Sequence, residues 1–245
     1  MSNIKQLLKD ISNSPGGPRI AAIFDFDGTL IAGYSAVAFI REQLTRGDLS
    51  ARQFVELLRA MTSFGLGNIG FSGMMAINAQ FMRGIEEDTY HELGRQLYTK
   101  QIARLIYPES RALVEAHQAK GHTVAIISSA TPYQVEPAAA DLGIEHVLCT
   151  QLEVKNGKFT GSVISPTCVG QGKVDAAESL AKQYRADLHK SFFYSDSQDD
   201  LLLLERVGHP RALNPSTKLE HIARARKWLI ARFGRRGRPT LAQFM

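Results

Sequence analysis

The sequence predicts an α/β protein, with a doubly wound, Rossmann-like parallel sheet and an inserted helical subdomain. Three observations carry that expectation. Short apolar runs end in polar residues at Arg19–Asp25, His122–Ser128 and Ser191–Asp196. Helical patterns with glycine stops alternate with them, as in parallel sheets with crossover helices. Residues 26–121, between the first two runs, far exceed the length one crossover needs.

In chain order, residues 1–18 read as an N-terminal helical extension. Arg19–Asp25 reads as a buried parallel strand, because it is continuously apolar and stops at acidic and glycine residues. Residues 36–105 show helical periodicity and no strand, so they form the insert, expected over the C-terminal edge of the sheet. The glycine-rich middle, Ser63–Gly73, is expected to be a mobile loop. Pro108–Lys120 and Pro132–Leu142 are helices stopped by Gly121 and Gly143. Asn156-Gly157 suits a type I′ turn, with hairpin arms Gln151–Lys155 and Lys158–Val163. Gly172–Tyr184 and Leu201–Val207 are further helices. Lys218–Phe233 is expected as one helix, with Ile222, Ala225, Leu229 and Phe233 on a stripe and Trp228 beside it. The domain bounds that follow are 1–18 for the extension, 19–33 with 107–217 for the core, 34–106 for the helical insert and 218–245 for the basic tail.

Composition limits the function classes. With 245 residues, 44% hydrophobic and 22% charged, the chain has enough apolar matter for a sizeable core and is not a disordered polymer. No apolar stretch is long enough to span a bilayer, and the first 18 residues lack a signal-type apolar core. A cytoplasmic protein is expected. Cys149 and Cys168 are too few for a disulfide scaffold or a zinc site, and read as small core or loop residues. The seven histidines have no metal-site spacing, and no Ser-His-Asp or Cys-His arrangement can be argued. Of 29 basic residues, seven fall in 221–245 with no acidic residue, leaving 22 basic against 24 acidic before them. The basic character belongs to the tail. Its plain reading is a docked helix with a solvated end; weak contact with anionic membrane is the functional one, and no specific nucleic acid is expected. Gly65-x-Gly67-x-x-Gly70 matches the dinucleotide glycine pattern, but it follows a helical pattern and not a strand, so it reads as a loop.

The chemistry concentrates where strands end. In Asp25-Phe26-Asp27-Gly28-Thr29, carboxylates two residues apart converge at one strand tip. Such a pair is costly unless a cation or a proton neutralises it, and an all-oxygen site suits Mg²⁺. Gly28 permits an unusual turn, and amides of this turn are candidate phosphate donors. Asp196, Asp199 and Asp200 follow the third strand and start a helix, where acids also serve as plain caps. Ser128 and Ser129 close the second strand, and Lys173 opens a helix. Either could meet a phosphate; taken singly, a serine there is usually a cap and a lysine is usually solvated.

In this order, the D-x-D-G-T motif, Ser128, Lys173 and the Asp196-x-x-x-Asp200 pair resemble the haloacid dehalogenase superfamily. The position of the insert resembles its C1-capped members, and Leu152–Gly161 resembles the phosphoserine-phosphatase-like branch, subfamily IB. The resemblance spans about Arg19 to Ile222. It implies a Mg²⁺-dependent phosphatase acting on a small phosphorylated metabolite through an aspartyl-phosphate. Asp25 would be the nucleophile and Asp27 the general acid, then base. Asp25, the Asp27 carbonyl and Asp196 would hold Mg²⁺, with Asp200 in support. Gly28, Thr29, Ser128, Ser129 and Lys173 would meet the phosphate. The sequence departs from the branch at two places. Tyr34 stands where phosphoserine phosphatases carry a glutamate for the serine ammonium, and Asp199 stands where they commonly carry asparagine. Both are candidate specificity residues, and phosphoserine is not the expected substrate. Phe64, Phe71, Met74 and Met75 suggest an apolar wall or, more plainly, the packing core of the insert. A lipid-phosphate phosphatase, a phosphotransferase and a non-catalytic phosphate-ligand binding protein are the alternatives.

Overall fold

The computed structural model describes residues 4–47, 50–65 and 70–234. Its centre is a six-stranded sheet in the order β3-β2-β1-β6-β7-β8. The strands are β1 (Ala21–Phe24), β2 (Thr123–Ser128), β3 (His146–Cys149), β6 (Phe192–Ser195), β7 (His209–Leu213) and β8 (Leu229–Ala231). All neighbours pair parallel. The chain winds outward twice from β1, first through β2 to β3 and then through β6 and β7 to β8. β1 and β6 therefore adjoin where the winding reverses, and the crevice beyond their C-terminal ends is the place for a ligand.

Strand alternation feeds two apolar cores. Ala22, Phe24, Val124, Ile126, Phe192 and Tyr194 face one, together with residues of α1 (Ile4–Asn13), α6 (Pro108–Ala119) and α7 (Pro132–Leu142). Ala21, Ile23, Ala125, Ile127 and Phe193 face the other, with α8 (Gln171–Tyr184), α9 (Leu201–Arg206) and α10 (Thr217–Ala225). Each fully buried phenylalanine contributes about 1.5–3 kcal/mol. Thr131 and Gln134 form a capping box at the start of α7, and Pro132 occupies its first turn. This fixes how the chain leaves β2.

Between β1 and β2 lie α2 (Ser35–Arg46), α3 (Ala51–Gly65), α4 (Phe71–Phe81) and α5 (Glu87–Leu97). The hairpin of β4 (Leu152–Lys155) and β5 (Lys158–Val163) turns at Asn156 and Gly157, both at positive φ as a type I′ turn requires. It grips the α4–α5 connection through Gly84 N–H to Phe159 O (2.8 Å), Phe159 N–H to Ile85 O (3.0 Å) and Glu87 N–H to Gly157 O (2.9 Å). Tyr90, Tyr133 and Phe159 meet edge to face at 5.2–5.6 Å. Gly94 lets α5 lie directly on α7, because a Cβ there would overlap the Tyr133 carbonyl.

Two expectations change. The single helix over Lys218–Phe233 is instead α10, a turn and β8. Lys227 at φ 56° ends the helical path, and Leu229–Ala231 pair with Arg211–Leu213. The expected stripe is thereby split: Phe233 is buried against Tyr107, and Arg226 stacks on Trp228. Of Ser63–Gly73, residues 63–65 and 71–73 are helical, and 66–69 lie outside the described residues. Of the apolar wall, Met75 is buried and Phe71 packs against the same core, while Met74 is half-buried. The Phe64 side chain, most of the Gly65–Gly70 motif and Arg235, Arg236 and Arg238 of the basic tail lie outside what is described. Among the described residues no helix is long and apolar enough to cross a membrane.

Candidate active site

β1 runs into Asp25, which is buried, and the next residues turn sharply. Leu30 and Ile31 N–H both donate to Phe26 O, at 2.9 and 3.2 Å. Gly28 sits at φ 78°, and a Cβ there would overlap the Asp196 carboxylate. Only glycine satisfies both conditions. The tips of β1 and β6 are thus brought together with Asp196 against the turn. The Asp196 backbone carbonyl also anchors the chain beyond β7 by accepting from Ser216 N–H at 2.8 Å.

Lys173, in the first turn of α8, is buried between two carboxylates. Its Nζ lies 2.7 Å from Asp25 Oδ1 and 2.8 Å from Asp200 Oδ1. Asp200 Oδ2 accepts from Lys173 Nζ at 2.9 Å and from Ser195 Oγ at 2.7 Å. Both Asp200 oxygens are therefore committed to protein donors, and its nearest cation is the lysine. Burial works against the Lys173 charge, but Asp200 and Asp25 more than offset it and hold its pKa above the usual value. Burial pushes the Asp25 carboxyl up to about 6; Lys173 pulls it down and Asp200 pushes it up again.

Asp27 has different surroundings. Its Oδ1 accepts from Ser35 N–H at 2.6 Å and its Oδ2 from Ser35 Oγ at 3.1 Å, so the carboxylate closes the N-terminus of α2. Burial raises it to about 7, the Ser35 amide bond lowers it, and Asp25 raises it. Ser35 Oγ accepts in turn from Gln134 Nε2 at 3.0 Å.

The remaining expected residues divide. Ser128 is buried, and its Oγ accepts from Ala130 N–H at 3.2 Å, which shapes the turn after β2. Ser129 is half-buried beside it. The amides of Gly28 and Thr29 were expected to face a phosphate, but they are already used. Gly28 N–H donates to Gly33 O at 3.0 Å and Thr29 N–H to Phe26 O at 3.3 Å. These residues build the turn instead. Thr29 Oγ1 is buried with no hydrogen-bond partner among the described residues. Tyr34 is the N-cap of α2, 63% exposed, one residue from the groups that hold Asp27. Asp199 is exposed in the turn between β6 and α9. Cys149 and Cys168 are free thiols, both pushed up to about 12 by burial. Sequence reasoning missed Ser35, Gln134 and Ser195. Thr131-x-x-Gln134 just inside a helix start is a legible capping signal; the partners of Ser35 and Ser195 are visible only in the fold.

The donor set fits a hard divalent cation. Asp25 and Asp196 stand at adjoining strand tips, the Asp27 carbonyl lies between them in sequence, and all three offer oxygen. Asp25 and Asp200 share a single buried ammonium, and burial is the chief cause that raises Asp25 and Asp27. Among the described residues no three His, Cys, Asp or Glu side chains form a metal cluster by themselves. Water and substrate oxygens would complete the shell, as Mg²⁺ commonly requires.

A family model of haloacid dehalogenase-like hydrolases matches residues 22–205. The chain is 31% identical over 237 residues to a probable phosphatase of Mycobacterium tuberculosis, covering 91% of this chain and 79% of that protein. It is 35% identical over 218 residues to a phosphoserine phosphatase of the same organism, covering 87% and 70%. It is 28% identical over 217 residues to a histidinol-phosphatase of Neisseria meningitidis, covering 86% and 98%. Among solved structures, a protein of unknown function from Bordetella pertussis aligns with a TM-score of 0.79 at 24% identity, covering 88% and 98%. A phosphoserine phosphatase solved as a phospho-aspartyl intermediate analogue aligns at 0.65 with 18% identity, covering 93% and 99%. At these identities the two structures establish a shared fold.

Proposed function

The chain belongs to the haloacid dehalogenase-like hydrolase family and is a phosphoric monoester hydrolase; we propose that it hydrolyses a small phosphate monoester through an aspartyl-phosphate on Asp25. The observation that carries this reading is the contrast between two neighbouring carboxylates. Asp25 is held by an ammonium at 2.7 Å, and Asp27 by a helix terminus that leaves its pKa near 7. Unlike surroundings suit unlike roles.

In the first step an Asp25 oxygen bonds to phosphorus as the ester P–O bond breaks. The departing alkoxide takes the Asp27 proton and leaves as the alcohol. In the second step ionised Asp27 removes a proton from water, whose oxygen attacks phosphorus. Inorganic phosphate leaves, Asp25 is regenerated and Asp27 is again protonated. Lys173 orients Asp25 and offsets charge on the transferring group, while Asp200 and Ser195 fix Lys173. Ser128 and Ser129 stand at the neighbouring strand end to meet phosphoryl oxygens. Mg²⁺, when bound by Asp25, the Asp27 carbonyl and Asp196, would supply the remaining charge compensation.

The helices of 34–106 act as the cap over the core formed by 19–33 and 107–217. Its contacts with the core's β4–β5 hairpin and with α7 set where the substrate's organic part lies. Exposed Tyr34 beside Asp27 offers an aromatic face and no charge for a substrate ammonium. This favours a metabolite other than phosphoserine, although relatives bear the names phosphoserine phosphatase and histidinol-phosphatase. Two free thiols accord with a cytoplasmic setting.

The test is phosphate release from a panel of phosphomonoesters, with Mg²⁺ or with EDTA, for the wild type and Asp25→Asn. Metal-dependent release that is lost in the variant is expected. Release that survives Asp25→Asn would overturn the aspartyl-phosphate.

A further inference from the structure

A buried chain of hydrogen bonds runs from the loop after β2 to the Asp27 carboxylate, and its direction is fixed at the far end. Thr131 N–H donates to Gln134 Oε1 at 2.8 Å, in the capping box of α7. A backbone N–H only donates, so the amide oxygen of Gln134 must face Thr131. Its Nε2 is then the atom that faces Ser35, and an NH₂ group only donates. Ser35 Oγ accepts from Nε2 at 3.0 Å, so its own hydrogen is free for Asp27 Oδ2 at 3.1 Å. Ser35 N–H takes the other oxygen at 2.6 Å. Thr131, Gln134 and Ser35 are all buried, and solvent does not supply alternative partners.

From this directional chain we propose that Gln134 is a positioning residue for the acid–base step, acting through Ser35. Its amide forces the Ser35 hydroxyl to donate to Asp27. The two Ser35 donors then hold both Asp27 oxygens and set the plane of the carboxylate, a torsion that is otherwise broad. The same chain spans from the phosphate side, at the end of β2, to the first helix of the insert. The carboxylate that must reach the leaving oxygen is thereby registered against the strand end where the phosphoryl group sits. The role rests on the phosphatase reading for its chemistry, but the hydrogen-bond geometry does not.

Gln134→Glu separates position from folding. A carboxylate keeps the side chain's size and still accepts from Thr131 N–H, so the capping box is retained. It can no longer donate to Ser35 Oγ. It accepts instead, and the Ser35 hydrogen turns away from Asp27. Leaving-group chemistry provides the readout. An alkyl phosphate needs protonation of its departing oxygen, whereas p-nitrophenyl phosphate releases a stable phenolate and needs little. Gln134→Glu and Ser35→Ala should each lower kcat/KM on an alkyl phosphate by roughly tenfold, with a change of less than about threefold on p-nitrophenyl phosphate. Ser35→Thr, which keeps a hydroxyl, should restore the discrimination lost in Ser35→Ala. Equal losses on both esters, or none, would overturn the proposal.

A crystal structure of Gln134→Glu supplies an arm that does not depend on activity. The Ser35 Oγ–Asp27 Oδ2 contact should open beyond hydrogen-bond distance with Thr131 N–H still capped. An unchanged contact would refute the positioning role, even in a protein that hydrolyses neither ester. Wild-type inactivity on both esters would instead count against the phosphatase reading, with the structure still deciding the positioning role.

Discussion

The sheet carries a buried polar cluster toward each end, and the two are built on opposite terms. Toward the N-terminal end, His122 Nε2 bonds to Pro15 O at 2.9 Å, and a carbonyl can only accept. With both rings neutral, His117 Nδ1 must then donate to His122 Nδ1 at 2.8 Å, and Tyr194 OH must donate to His117 Nε2 at 2.8 Å. Every ring nitrogen has a protein partner, and no charge is needed. Arg211 of β7, close by, is paired with Asp10 of α1 at 3.0 Å. At the C-terminal end, by contrast, Asp25 and Asp200 hold Lys173 between them, Asp27 is held by Ser35, and burial raises Asp25 and Asp27 to about 6 and 7. Burial of polar groups is common to both ends. What distinguishes the functional end is that its buried groups are carboxyls and an ammonium, with two carboxyls raised well above the ordinary range. The first cluster ties α1 and α6 to the sheet; the second is arranged for a cation and a phosphoryl group.

Substitutions can break this contrast. Asp25→Asn should lower kcat/KM on the order of 10⁴-fold or more, as removal of a nucleophile does. The melting temperature should stay level or rise, because a repelling carboxylate is gone. Lys173→Met should be the most destabilising single change at the site, since it leaves Asp25 and Asp200 buried without their cation. Denaturant unfolding should show a loss of about 3–5 kcal/mol. His117→Leu should act only on stability. It strands Tyr194 OH and His122 Nδ1, at about 1–3 kcal/mol for each group left unsatisfied, with kcat/KM per folded molecule unchanged. A catalytic defect in that variant would erase the distinction between the two ends.

The pH dependence should carry opposite signs. Burial, then His122, Arg211 and His209, hold His117 well below its ordinary value, and burial lowers His122. The unfolded chain therefore binds these protons first, and stability from this cluster is full above about 6.5 and falls as pH drops below it. Asp25 and Asp27 are raised from 3.8, so here the folded state binds protons first. Their contribution is full below about 4 and is lost as pH rises through 6 to 7. Melting curves of the metal-free protein across pH 5–8 should show both limbs. Added Mg²⁺ should raise the melting temperature more at pH 8 than at pH 5, and the acid limb should flatten in His117→Leu.

Much of this architecture is readable in the chain, and the losses have physical reasons. β1, β2 and β6 are continuous apolar runs because both faces of a parallel sheet are covered. β3 and β8 are edge strands whose residues are mostly half-buried, so no fully covered apolar run marks them. β7 is disguised by Pro210 and Arg211, whose cation is legible only beside Asp10, far away in sequence. Of the stripe expected over residues 218–233 only Phe233 is buried; α10 buries Leu219 and Ala223 instead, and a positive φ at Lys227 separates helix from strand. At the site, the spacing of Asp25 and Asp27 exposes them at once. The pairing of Asp200 with Lys173 does not follow from spacing; the fold brings the two within 2.8 Å. Gly28 was expected for the approach of a phosphate to its amide; the fold uses that glycine to admit Asp196 and spends the amide on Gly33.

The central claim is that Asp25 becomes phosphorylated, and the direct measurement is mass spectrometry of the protein after acid quench during turnover of a reactive phosphomonoester with Mg²⁺. One phosphoryl group should appear on the peptide containing Asp25, accumulate in Asp27→Asn, where no base activates water, and be absent in Asp25→Asn. Sustained turnover with no phosphorylated peptide, or with the group on another residue, would contradict the account.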